Sequence, residues 1–209
     1  YFNNAGNQTL TFVGTNDLSF GSGTAVFANS SKTISTTAGV LSIGSIDVIG
    51  TNSGTYSLTK SGAGALAITG PASAGFSGGV NLSGGTLQVG HNNALGTGTV
   101  TVSSPNTVLQ AINSDRVLPN TFAFSSGVNG TVIFTGSQSL TLSGAASYAA
   151  FQAGTGPTNN IVAGKQLTFQ GGIDIYTGTA TSSVNSFTFA GSGDTLVSGN
   201  IIQSSTTFN

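Results

Sequence analysis

Charge is what this 209-residue chain has least of: four lysines and arginines against five acids, a charged fraction of 4% and a formal net charge of −1. An average soluble domain carries about 25% charged residues. The cations Lys32, Lys60, Arg116 and Lys165 lie far apart, so no basic stripe can neutralise a run of phosphates, which argues against nucleic acid as a partner. Weak charge repulsion favours contact between copies. Ser, Thr, Asn and Gly must then solvate the surface, as suits a matrix, a filament or a cell surface.

Cysteine is absent as well, which excludes a disulfide framework and thiolate metal sites. A chain without thiols also forms no premature cross-link if it crosses an envelope unfolded. Met and Trp are missing, in keeping with an extracellular, oxidation-tolerant composition. No apolar run approaches the roughly 20 residues that span a bilayer as a helix, and no charged n-region with an apolar core opens the chain. Because the first residue is Tyr1, the expectation is a processed product or a segment of a longer chain.

Helical periodicity is the next thing lacking; what recurs instead is period two. TLTF (9–12), VLSIG (40–44), YSLT (56–59), ALAITG (65–70), TLQVG (86–90), TVTV (99–102), TVIFTG (131–136), SLTLSG (139–144), QLTFQG (166–171) and SFTFAG (186–191) alternate apolar with Thr, Ser or Gln and are bounded by Gly or Asn. Each reads as a short, half-buried strand. Leu66, Leu87 and Val108 are spaced by about 21 residues and Val132 follows at about 24, a period typical of solenoids. Asn129-Gly130 is a candidate tight turn, but most connections suit the corners of a coil better.

These patterns predict an all-β fold: one parallel β-helix over residues 1–209, of about nine rungs and roughly 40–45 Å in length. The 32 glycines supply corner conformations. The expected inward ladder comprises Leu58, Leu66, Ile68, Leu82, Leu87, Val89, Val100, Val102, Val132, Phe134, Leu140, Leu142, Leu167, Phe169, Phe187 and Phe189. Outward Thr, Ser, Asn and Gln form polar ladders suited to another rod, a carbohydrate, ice or simply water. A charge repeated along a ladder would repel itself, so low charge fits stacked rungs.

The clearest stretch is 56–102, where LTKSGAGALAITG is followed by FSGGVNLSGGTLQVG and NNALGTGTVTV. From Leu58 to Val102 it resembles the autotransporter-associated β-strand repeat of secreted bacterial passenger domains: Leu-Thr-Lys-x-Gly-x-Gly, a Gly-Gly before the middle strand, Gly-Thr-Leu-x-Val-Gly, and an Ala-Leu-Gly-x-Gly corner. TVIFTGSQSLTLSGA and FTFAGSGDTLVSGNI resemble looser rungs of such arrays. The resemblance implies a right-handed parallel β-helix, secretion, and work as an adhesin, surface fibre or stalk. This chain shows one clear copy and no C-terminal membrane barrel.

No catalytic, cofactor-binding or metal-binding residue is expected. Glycoside hydrolysis needs two carboxylates at roughly 5–9.5 Å, and none of Asp17, Asp47, Asp115, Asp174 and Asp194 is paired at i, i+2. Asp115-Arg116 is the one adjacent pair of opposite charge; it reads as a loop ion pair, or as the centre of a polysaccharide lyase or hydrolase under the alternative reading. His91, in VGHNNALG, lacks partner ligands and reads as a turn residue. GSGD (191–194) occurs once, unlike calcium-binding arrays, and the Gly-rich runs lack a phosphate-loop context. The Asn-x-Ser/Thr sequences at Asn7, Asn29, Asn81 and Asn129 follow from composition.

Both ends of the chain read as strand without a cap, leaving unpaired edges. Either further rungs belong there, or copies join head to tail into a filament. The functional expectation is an extracellular fibre, sheath or adhesive element, including a biofilm matrix component, that self-associates end to end or laterally and meets carbohydrate or a cell-surface receptor. A passive stalk displaying another domain is the remaining alternative.

Overall fold

The computed structural model describes residues 6–50, 55–124, 132–148, 156–175 and 187–204. Among these are twenty-two strands, numbered in chain order, and no α-helix. All named pairings are parallel and join strands one turn apart, which makes the chain a parallel β-solenoid of about seven turns. Val80 stacks on Val100, a 20-residue step, and Ile173 on Ile201, a 28-residue step. The nine rungs expected assumed shorter turns.

Three faces enclose the core. The longest sheet stacks nine strands: β1 (Gln8–Phe12), β4 (Lys32–Thr36), β7 (Leu58–Ser61), β9 (Val80–Leu82), β11 (Val100–Val102), β14 (Phe122–Phe124), β17 (Ala146–Tyr148), β20 (Ile173–Asp174) and β22 (Ile201–Ile202). The second stacks seven: β2 (Leu18–Ser19), β5 (Val40–Ile43), β8 (Ala65–Ile68), β10 (Thr86–Val89), β12 (Val108–Ala111), β15 (Val132–Gly136) and β18 (Pro157–Ile161). The third face is split. β3 (Thr24–Ala28) and β6 (Ser45–Ile49) pair at one end, and β13 (Arg116–Leu118), β16 (Leu140–Leu142), β19 (Gln166–Phe169) and β21 (Asp194–Val197) at the other.

Between those two sheets the third face is built from the loops 70–78 and 91–98 rather than from strands. Backbone bonds still link the turns there: Ser73 N donates to Ile46 O at 2.8 Å, Ala72 N to Asn93 O at 2.9 Å and Thr97 N to Phe76 O at 3.1 Å. Phe76, Ala94 and Leu95 point inward and are fully buried. The Phe76 ring meets Phe27 edge-on at 6.2 Å.

Alternation sends one side of most strands into a continuous apolar core, while β2 and β22 at the two ends are exposed. Of the expected inward ladder, all but two residues are buried. Phe187 is half-buried and Phe189 is 42% exposed, because 187–190 forms only an isolated bridge, Thr158 to Ala190, and no named strand. Their rings instead lean on the end of the core, Phe187 on Tyr148 at 4.8 Å and Phe189 on Phe169 at 6.4 Å. The stacked register also differs by one residue from the spacing expected: Leu66, Leu87, Leu109 and Phe134 align, while Val108 aligns with Thr86 and Ile133. A one-residue slip exchanges the two sides of a strand, so Val108 faces outward.

Among the described residues the connections from the nine- to the seven-stranded sheet are 13–17 after β1, 37–39 after β4, 62–64 after β7, 83–85 after β9 and 103–107 after β11. The candidate Asn129-Gly130 turn and the Asn129 sequence lie outside the described residues.

Candidate functional site: a buried lysine at the repeat corner

Lys60 is the feature that sequence reasoning missed. It follows Leu58 on β7 at an inward position, between Ile34 of the turn before and Leu82 of the turn after, and is 0% exposed. A lysine is rarely buried unless its charge is met. Here the ammonium is met by carbonyls alone. Nζ donates to Ser61 O at 2.7 Å, to Gly62 O at 3.0 Å and to Gly84 O of the next turn at 3.0 Å, which uses all three of its N–H donors. Removal from water pushes its pKa down to about 8.

Glycine makes this cage possible. Gly62 and Gly85 have φ of 75° and 66°, a region that L side chains rarely adopt. A Cβ on Gly85 would press on the carbonyls of Gly62 and Gly64. The next turn also closes over the lysine backbone: Ser83 N and Oγ both donate to Lys60 O, at 2.8 and 3.1 Å. The Lys-x-Gly-x-Gly spacing and the later Gly-Gly are thus two halves of one corner.

The remaining cations are also spent on ties between or within turns. Lys32, 2% exposed, sits inward on β4, and its Nζ donates to Gly6 O and Ser30 Oγ; burial lowers its pKa. Lys165 Nζ reaches Asp115 Oδ1 at 2.9 Å. Arg116 Nε and Nη2 both donate to Ile112 O.

Asp115 and Arg116, adjacent in sequence, therefore serve different partners. Asp115 accepts from Lys165 and from Ser139 N at 2.8 Å, and the lysine's hydrogen bond holds its carboxyl below the usual range. Asp194 occupies the same outward row as Asp115 three turns further on, about 14 Å away at the spacing of stacked strands, beyond the reach of a glycosidase pair. Asp17 Oδ1 accepts from Val40 N, Asp47 Oδ1 from Val48 N and Asp174 Oδ1 from Ser204 N. His91 is half-buried, and its Nδ1 accepts from Asn93 N at 3.0 Å.

GSGD is a corner clasped by buried Asn159, whose Nδ2 donates to Asp194 O at 2.8 Å and to Thr195 Oγ1 at 3.0 Å. Asn81 Oδ1 accepts from Ser103 Oγ of the next turn at 2.7 Å. Among the described residues no three His, Cys, Asp or Glu side chains gather as a metal site.

The family model for the passenger-associated-transport-repeat matches residues 58–89. The chain carries an autotransporter passenger-type repeat. The match runs from β7 to β10, through both halves of the Lys60 corner, and is shorter than the resemblance traced above to Val102. Passenger repeats of this kind are in general structural and imply a secreted or cell-surface protein. Comparison with curated proteins and with solved structures gives no match.

Proposed function

We propose that this chain is a structural and adhesive element of a passenger-type rod outside the cell. The observation that carries the reading is how the chain spends its polar chemistry: Lys32, Lys165 and several of its carboxylates tie one turn to another, while a passenger-type repeat forms part of the solenoid. Rigid, weakly charged faces with hydroxyl ladders suit contact with other rods or with carbohydrate at a cell surface. End-to-end stacking fits the apolar side chains at the two extremes. Leu18 and Phe20 at one end, and Leu196, Ile201 and Ile202 at the other, are 40–55% exposed and are what a further turn, from the same chain or from a second copy, would cover.

The test has two arms. Protease shaving of intact producing cells should remove the chain, and negative-stain microscopy of the purified chain should show filaments longer than one rod of about 35 Å. Protection of the chain inside intact cells overturns the surface assignment. Single rods at every concentration overturn end-to-end assembly.

A further inference from the structure

The core changes character along the axis. From β10 to β19 the inward positions of the strands are apolar apart from Asn159 and Arg116, which stands in register with Leu140 but is only half-buried. The turns before β9 bury two ammonium groups, Lys32 and Lys60, and a threonine, Thr36, whose hydroxyl has no partner. Burying an ammonium is unfavourable unless its surroundings replace what water supplied. Carbonyls supply the hydrogen bonds of Lys60, but no aspartate is among its partners.

The elements packed on Lys60 bring it no opposite charge. β8, β9 and β10 contain no titratable residue. β4 contributes only Lys32, whose ammonium turns to Gly6 and Ser30 at the other end of the strand. Docking of the turn that begins at β9 is therefore the step that takes the Lys60 charge out of water.

We infer that residues 6–79 form a section of the solenoid that opens separately from the turns after it, with Lys60 as the proton-sensitive joint between them. In a solenoid each turn contacts only its neighbours, so one weak interface lets a block detach while the rest stays wound. Protonated Lys60 weakens that interface, and loss of its proton tightens it. The sign follows from linkage: the lysine gives up its proton near pH 8 when buried and near 10.4 when free, so the open block binds more protons between these values and closure gains as pH rises. From pH 7 to pH 9 the population with the block open falls about tenfold.

Subtilisin digestion of the whole chain in moderate urea, at pH 7 and pH 9, tests this when fragments are mapped by mass spectrometry and rates are normalised to an unstructured peptide. At pH 7 the first cuts should fall before residue 80 and leave a resistant fragment starting near Val80. Those early cuts should slow about tenfold at pH 9, with later cuts changing much less. Lys60→Met should cut slowly at both pH values. First cuts beyond residue 80, an equal pH effect on all cuts, or a pH effect retained in Lys60→Met would each overturn the inference. The wild-type comparison decides alone if the variant does not fold.

Discussion

Tyr148 offers the sharpest test of how the core is balanced. Its ring stacks on Phe124 with centroids 4.3 Å apart and meets Phe187 edge-on, yet its hydroxyl is buried without a hydrogen-bond partner. Tyr148→Phe keeps both ring contacts and removes only the stranded hydroxyl. Leaving such a group unpaired costs about 1–3 kcal/mol, so the variant should be more stable by that order at pH 7.5. Burial holds the phenol protonated well above its usual range, whereas in the unfolded chain it ionises near pH 10. Above that pH the folded state binds more protons than the unfolded one, and wild-type stability falls as pH rises. At pH 11 the loss from this group is about 1.4 kcal/mol, and Tyr148→Phe should escape it. The difference between the two urea midpoints should therefore widen from pH 9 to pH 11. A variant less stable than wild type at pH 7.5, or a difference that does not change with pH, would refute the reasoning.

Gly85→Ala should destabilise by about 1–2 kcal/mol for its left-handed backbone alone and by more because the methyl meets two carbonyls; a calorimetric melting temperature within a degree of wild type would contradict it. Phe76→Ala removes a fully buried ring from the loop-built part of the third face and should cost about 3–5 kcal/mol by urea unfolding. Asp115→Asn keeps an acceptor for Ser139 N but loses the charge facing Lys165 across an exposed pair, so unfolding should shift by less than about 1 kcal/mol, and less still in high salt.

The architecture was legible because a solenoid repeats its signals. Alternation in TLQV and LTL, punctuated by glycine, is enough to place strands, and parallel stacking follows from their spacing. Register was harder, since turns of unequal length move the stacked partner from Val108 to Leu109. The loop-built wall was invisible for a different reason: Phe76 and Leu95 sit alone among glycines, with no alternation to mark them as inward. Lys60 was missed because a charged side chain defaults to the surface. The signal that could have found it is its place in step with Leu58, at the position where the matching strands carry Ile34 and Leu82.

Unequal turn length is accommodated in part on one margin, where corners join the nine- and seven-stranded sheets. The described corners there run from three residues, at 37–39, 62–64 and 83–85, to five, at 13–17 and 103–107, while the ladders they join keep their register. Even the longer corner 103–107 stays tied to its neighbours, since Ser103 N donates to Leu82 O and Ile133 N to Thr107 O. That margin is where such a scaffold can diversify: new recognition segments can be grafted in a row, one above another, onto a frame that does not need to change to carry them.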